Sequence, residues 1–504
     1  MRHLAILGTA SDVGKSLIAT AFCRLLADAG HHPLPFKAQN MSLQSGVTSG
    51  AGGGEMSRAQ ILQARACRVE PHVDMNPVLL KPTSDRHAEV VILGRAQARP
   101  SSAAEHFDPA RAASLGEIAD AALGRLLSRE PPPAIVIEGA GSPVELNLMA
   151  RDFINLRPAR RLDAAIVLVA DIDRGGVFAQ VKGTLDLLPT ADRSRVVGVI
   201  VNRFRGDPAL FDDGIVALER LAECPVLAVV PFFPHGLDEE DRPLRLPVDA
   251  PPVPGALNVA VVLHPHVANT DDVAPLSGEP EVAATWVTRA RALAGRDLVI
   301  LPGSKSTVAD LQHHTANGVA GAIADAAVAG SFVLGLCAGY QMLGRALIDP
   351  AGTDGPPGTW PGLGLLDVTT TFEADKHLAD ARFASAWPRA GHTLAGYEIH
   401  RGRTRGADVG APARLVADAG ADVGAVSASG HVAGAYLHGL LASDGWRGDY
   451  FAMVRAARRL PARPPTITDP LDQRIDRWAR HVAGALRPGA WERLLASAAS
   501  DGPD

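Results

Sequence analysis

Cysteine is scarce, with four in 504 residues: Cys23, Cys67, Cys224 and Cys337. None stands in a C-x-x-C pair, which excludes a disulfide framework and a cysteine-rich zinc site and suits a reducing compartment. Positive charge is not in excess either. The formal net charge is −6, so no basic face offers itself to nucleic acid. Long hydrophobic runs are missing: stretches such as "AAIVLVA" are strand-length and fall short of the roughly 18 residues that span a bilayer. The N-terminus lacks a signal peptide's apolar h-region and cleavage site, because its short apolar run leads directly into a glycine loop. These absences point to a cytoplasmic protein with neither membrane nor nucleic acid as partner.

What is present describes a globular chain of two or three domains, with 47% apolar and 21% charged residues. From residue 3 to about 235, runs such as "HLAILG", "HPLPFKA", "AIVIEGAG", "AAIVLVADI", "VVGVIVNRF" and "VLAVVPF" alternate with helical stretches. They are apolar throughout rather than alternating, which predicts parallel strands buried on both faces of a doubly wound α/β sheet. Residues 236–256 are charged, proline-rich and without periodicity, and read as a linker between domains 1–235 and 257–504. A second α/β series follows, with "LNVAVVLHP", "DLVILPG", "SFVLGLCAG" and "VAGAYLHG", and ends in helical segments 445–459 and 471–498. Segments 86–115 and 403–430, rich in Ala, Arg and Gly, read as surface excursions.

The stretch "GTASDVGKS" carries the first chemistry. Gly14, Lys15 and Ser16 follow a strand and open a helix, so backbone N–H groups and the helix N-terminus can surround phosphates. Lys15 would neutralise charge and Ser16 would ligate Mg²⁺. The spacing departs from the usual phosphate loop: its first glycine would fall at Thr9, and Gly8 stands one residue early. Mg·ATP also needs oxygen ligands. Glu138, at the end of "PAIVIEGAG", has the position of a metal-binding acid at the C-terminal edge of a parallel sheet. Glu55 beside a helix start is either a ligand or an N-terminal charge. Asp171 and Asp173 in "VADIDRGG" are either ligands or a turn with a cap. Lys37 ends another strand, within reach of phosphate or of a substrate carboxylate.

The second chemistry is a thiol. "GLCAG" resembles a nucleophile elbow, a tight strand-to-helix turn whose small neighbours let Cys337 project near a helix N-terminus that favours thiolate. Cys23, Cys67 and Cys224 read as buried structural thiols. His438 in "GAYLHGLL" follows an apolar strand and is the candidate base, ahead of His264 and His266 in "LHPH", which have no evident third metal ligand. Gly303 in "LPGSKS" sits in a strand-end turn, where its N–H could join that of Ala338 in an oxyanion hole. Together these parts describe amide hydrolysis through a thioester. Beside an ATP loop, they compose a glutamine-dependent amide synthetase.

The stretches "GTASDVGKS", "FKAQNMSLQSGVT", "IEGAGSPVELNLMARDFINLRPAR", "LVADIDRGGVFAQ", "VNRFRGD", "LPGSKST", "LGLCAGYQMLG", "GYEIHRGRT" and "AYLHGLL" occur in this order over the whole chain. In them the sequence resembles the cobyric acid synthase family, glutamine-dependent amidases of cobalamin biosynthesis. The N-terminal half also resembles dethiobiotin synthetase, whose wider group shares the shifted phosphate loop. The resemblance implies a P-loop domain for ATP and the corrinoid, followed by a flavodoxin-like glutamine amidotransferase domain. It implies that Cys337 is the nucleophile and His438 the base, and that Gly8, Thr9, Asp12, Gly14, Lys15, Ser16 and Lys37 serve ATP. Ser16, Glu55 and Glu138 would hold Mg²⁺. The partners implied are small molecules, glutamine and a corrinoid carboxylic acid, amidated in four steps through acyl phosphates. The acid that often lies two residues after the histidine is replaced here by Leu440, so the resemblance gives a Cys–His dyad. Glu398 in "GYEIH" is an exposed-looking candidate for a third member, with a structural role favoured.

Two other functions remain open on the residues alone. Cobyrinic acid a,c-diamide synthase shares both domains, although "KAQNMS" and "DIDRGGVFA" favour the tetra-amidating enzyme. An ATP-switching protein of the partition type would have a degenerate amidotransferase tail, against which the intact Cys337–His438 pair speaks.

Overall fold

The computed structural model describes residues 3–48, 53–84, 87–97, 101–106, 108–237, 246–409, 415–417, 424–464 and 466–496. It divides into two compact units: Met1–Ser42, Thr48–Arg242 and Asp469–Asp504 form the first, and Leu43–Val47 with Pro243–Thr468 the second. No helix among the described residues is long and apolar enough to cross a membrane.

In the first unit the apolar runs pair as a six-stranded parallel sheet. Its spatial order is Val226–Pro231, Val196–Phe204, Ala165–Asp171, Leu4–Gly8, Ala134–Glu138, Pro33–Phe36. Successive side chains leave opposite faces, so Leu4 and Ile6 enter one core while Ala5 and Leu7 enter the other. This is why the strands carry no polar alternation. The parallel register brings Gly8, Glu138 and Asp171 to one edge, the C-terminal end where ligands of such sheets bind.

Of segment 86–115, residues 86, 98–100 and 107 lie outside the described residues, and most of the rest carries regular structure. His87–Ile92 pairs antiparallel with Val78–Ser84. Asp108 then caps helix Pro109–Leu127 by accepting from Ala110 and Arg111 N–H. Leu115, Ala119, Leu123 and Leu126 of that helix are fully or almost fully buried, an apolar stripe that the alanine-rich composition disguises.

The second unit has its own sheet, in the order Val282–Val287, Leu257–Val262, Leu298–Leu301, Phe332–Leu336, Val432–Ala435, Gly424–Val426. All pairings are parallel except the last, antiparallel edge. A long antiparallel ribbon, Val368–Ser385 against Thr393–Gly406, sets Ala379 opposite Glu398 and His377 opposite His400. Part of segment 403–430 is thus strand; 410–414 and 418–423 lie outside the described residues. Of the linker 236–256, residues 238–245 likewise lie outside them. Beyond, Asp249 N–H already donates to Trp286 O at 2.8 Å and Val253 N–H to Asn258 Oδ1 at 2.6 Å, within the second unit.

Two segments cross the boundary that the sequence drew. Leu43–Val47 folds with the second unit, and the chain from Asp469 folds with the first. The cause at the C-terminus is an amphipathic helix, Leu471–Ala485, whose Ile475, Trp478 and Val482 complete the core around Leu17, Ile18 and Phe22. Trp478 Nε1 donates to Leu17 O at 2.7 Å, and Arg24 pairs with Asp472 at 3.0 Å. Trp478→Ala should therefore cost about 3–5 kcal/mol in urea unfolding of the first unit. An unaltered midpoint would show that the helix adds nothing to that core.

Candidate active site

The phosphate loop runs from Gly8, the end of the first strand, to helix Lys15–Asp28. Gly14 has φ +95°, and a Cβ there would meet the Asn202 amide at 2.2 Å, so conformation and space both demand glycine. Lys15 opens the helix and its Nζ donates to Ala10 O at 2.8 Å, folding the ammonium over the loop. Thr9 N–H donates to Val169 O at 3.0 Å, and its hydroxyl to Gln180 Oε1 at 3.2 Å. Asp12, with φ +56°, is paired with Arg203 at 3.1 Å and with Arg174. Arg203 also reaches Asp171 at 2.8 Å, while Asp173 N–H donates to Asp171 Oδ1 at 2.8 Å and Arg205 pairs with Asp173 at 2.7 Å. Asp171 and Asp173 are thus engaged within a turn and by arginine ion pairs.

Glu138 gathers the predicted groups. Its Oε1 accepts from Ser16 Oγ and Lys37 Nζ, both at 2.7 Å, and its Oε2 from Gln60 at 3.0 Å and Gln63 at 2.5 Å. Burial pushes its carboxyl up, but the Lys37 ammonium and the Ser16 and Gln63 donors outweigh that and hold it below the usual range. Glu138 is therefore an anion at neutral pH. Two lysines, a helix-start hydroxyl and a buried carboxylate form a donor set that fits Mg·ATP, since Mg²⁺ takes oxygen ligands and the ammonium groups suit phosphate. Glu55 is buried and accepts from Lys81 Nζ at 2.5 Å.

In the second unit Cys337 joins strand Phe332–Leu336 to helix Ala338–Leu343 with φ +50° and ψ −107°, a strained elbow for a residue bearing a side chain. The flanking glycines are a packing requirement: a Cβ on Gly339 would lie 1.9 Å from Leu301 O. Cys337 N–H donates to Ala435 O at 2.8 Å, and its Sγ lies 3.5 Å from Ile399 O.

His438 lies beside this thiol. Its N–H donates to Tyr397 O at 2.9 Å, and the two rings stack with centroids 4.9 Å apart. A Cβ on Gly303 would be 3.6 Å from His438 Cε1, so the "LPGSKS" turn borders the imidazole. Ala338 is the first helical residue, and N–H groups there lack helical partners. His438 Nδ1 lies 2.7 Å from Asp272 Oδ2, and Asp272 Oδ1 accepts from Gly439 N–H at 2.8 Å. A carboxylate can only accept, so Nδ1 carries a proton and Nε2 is the ring nitrogen left for another partner. Burial alone would push the imidazolium down, but Asp272 and Cys337 hold it well above the ordinary histidine value.

Asp272 is the residue that sequence reasoning missed. It lies in the 3₁₀ turn Thr270–Gly278, far ahead of the histidine in the chain, whereas the position two after the histidine holds buried Leu440. The available signal was the acidic pair in "NTDD", shortly after the "LHPH" histidines. Glu398 is not exposed: only 5% of it is accessible, and its Oε2 lies 3.0 Å from His377 Nε2. His264 meets His314 at 2.8 Å and burial lowers it to about 4, while His266 meets Asp310 at 2.8 Å. Cys23 and Cys67 are buried, and burial raises Cys224 to about 11, as inert thiols require.

Comparison with known proteins gives two family matches. Residues 4–242 match the CobQ/CobB/MinD/ParA nucleotide binding domain, and residues 258–446 match the CobB/CobQ-like glutamine amidotransferase domain. The chain is 44% identical to a cobyric acid synthase of Chlorobium phaeobacteroides, over 97% of this chain and 98% of that one. It is 43% identical to one from Paracoccus denitrificans (96% and 98%) and 42% identical to one from Sorangium cellulosum (97% of each).

Proposed function

The chain belongs to the cobyric acid synthase family, glutamine-dependent amide-forming ligases of cobalamin biosynthesis, and we propose that it amidates the b, d, e and g carboxylates of adenosylcobyrinic acid a,c-diamide through acyl phosphates. The observation that carries this reading is the hydrogen-bonded Asp272–His438 pair beside Cys337, on a chain that also carries the Ser16–Glu138–Lys37 cluster.

In the second unit Cys337 Sγ attacks the side-chain carbonyl carbon of glutamine. Gly303 and Ala338 N–H groups receive the oxyanion. His438 gives its proton to the departing nitrogen, ammonia leaves, and water cleaves the thioester to glutamate with His438 as base. In the first unit Lys15 and Lys37 would neutralise the phosphoryl oxygens of bound ATP, while Ser16 and Glu138, with Glu55 as further carboxylate, would hold the metal. Bound Mg²⁺ supplies charge neutralisation at the transferring phosphoryl group. A corrinoid carboxylate oxygen takes the γ-phosphoryl group, ADP leaves, and ammonia displaces phosphate to form the amide. The substrate assignment is tested by incubating the protein with ATP, Mg²⁺, glutamine and the a,c-diamide and following product mass. Stepwise amidation supports it; turnover only of cobyrinic acid lacking the a and c amides overturns it.

Asp272→Asn isolates the histidine's partner. The amide keeps the shape but presents a donor or a weaker acceptor to Nδ1, so glutamine hydrolysis should fall by roughly 10²–10⁴-fold. Loss of the carboxylate should also lower the His438 pKa, moving the alkaline limb of the rate profile to lower pH. The sign for stability follows from the raised folded value. The pair's contribution is full below the unfolded histidine value of about 6.5 and is lost as pH rises through the folded one. Wild type and variant should therefore differ most in stability at mildly acid pH and converge at alkaline pH. Equal hydrolysis rates would remove Asp272 from the site.

A further inference from the structure

The catalytic histidine is braced from an unexpected part of the sequence. Leu43–Val47 folds with the second unit, although it follows Lys37 by only a few residues. Gln44 holds Thr270 at two points: its Oε1 accepts from Thr270 N–H at 2.9 Å and its Nε2 donates to Thr270 Oγ1 at 3.2 Å. Ser45 N–H donates to Asn269 Oδ1 at 3.2 Å.

Asn269 and Thr270 open the turn that carries the histidine's acid, and Asp272 N–H donates to Asn269 O at 3.1 Å. Asn269 is almost fully buried, with a left-handed backbone of φ +52°. Its Nδ2 lies 3.3 Å from His438 Nδ1 and 3.4 Å from His438 Nε2. Because Oδ1 is taken by the Ser45 N–H, the amide group is oriented with its nitrogen toward the ring. The turn therefore meets the imidazole through Asp272, which accepts from Nδ1, and through the Asn269 amide, which lies against the ring but cannot donate to the protonated Nδ1.

We propose that Gln44 and Ser45 are positioning residues of the glutaminase, fixing the Asn269–Asp272 turn and thereby the angle at which His438 meets Cys337. This rests on the reading of Cys337 and His438 as the glutamine-hydrolysing pair. The brace lies on the chain that leads from Lys37, which is ion-paired with Glu138 at 2.7 Å. If ligand binding in the first unit alters glutamine hydrolysis, this segment is the covalent connection from Lys37 that would carry the effect.

The test uses the full-length protein and measures glutamate release, with and without ATP and the corrinoid acid, in wild type, Gln44→Leu, Gln44→Glu and Asn269→Gly. Gln44→Leu removes both contacts to Thr270. Gln44→Glu keeps the acceptor for Thr270 N–H and can accept from its hydroxyl. Asn269→Gly keeps the left-handed backbone and removes the amide. Misplacing a catalytic group by about 1 Å can cost about 10²-fold. Gln44→Leu and Asn269→Gly should accordingly lower kcat by roughly 10–10²-fold with little change in the KM for glutamine. Both should respond less to the two ligands, and Gln44→Glu should recover most of the rate. A merely structural brace would lower folded protein and leave kcat per folded molecule, measured against thermal melts, unchanged. Wild-type kcat in folded Gln44→Leu or in Asn269→Gly overturns the proposal. Wild-type glutamate release in a Cys337→Ala control would instead overturn the glutaminase reading beneath it.

Discussion

Cys337→Ala should abolish glutamine-dependent amidation, by at least about 10³-fold, while free ammonia supports the reaction near the wild-type rate. The substitution removes one sulfur atom from an elbow whose backbone is fixed independently by the Cys337 N–H bond to Ala435 O at 2.8 Å and by the close approach of Gly339 to Leu301. The fold should therefore survive and the loss should be chemical. Ammonia bypasses the thioester altogether, since it needs only the activated carboxylate made in the other unit. Paired assays with glutamine and with an ammonium salt read both numbers from one preparation. Undiminished glutamate release from the variant would mean that another group is the nucleophile.

Glu138→Gln should behave in the opposite way, damaging amidation with either nitrogen source by about 10²-fold or more while hydrolysis of glutamine persists. The neutral amide withdraws the charge that a metal needs and leaves the Lys37 ammonium without its buried counter-ion. Breaking such a pair from one side typically costs about 3–5 kcal/mol, so a lowered unfolding midpoint should accompany the lost activity. Because Glu138 is held below its unfolded value, its stabilising contribution is present at neutral pH and is lost as pH falls through the folded value. The stability gap between wild type and variant should narrow in acid. Ammonia-dependent rates equal to wild type would contradict the metal assignment.

The parts of this site that were legible in the sequence are those set by local chemistry. Gly14 sits at a left-handed, crowded position between strand and helix that demands glycine, and Lys15 and Ser16 open the helix after it. Cys337 is framed by glycines for the same kind of reason, and doubly buried strands betray themselves by lacking polar alternation. Partners chosen by tertiary closure were not legible. Asp272 meets His438 only because a turn far upstream is folded against it. Glu398 looked exposed in the sequence, yet the ribbon's pairing buries it beside His377. The helix Leu471–Ala485 follows the amidotransferase segments in sequence, but its apolar stripe completes the other core. Gln44 likewise belongs in sequence to the nucleotide half and in space to the second unit.

Nitrogen released at Cys337 should end in corrinoid amides formed at the ATP site. This transfer is tested most directly with glutamine carrying heavy nitrogen in its side-chain amide, supplied with ATP, Mg²⁺ and the a,c-diamide. Labelled amides should appear in the corrinoid, accumulating in discrete mass steps and absent when ATP is withheld. Label recovered only as free ammonia beside an unchanged corrinoid, with ATP present, would contradict it.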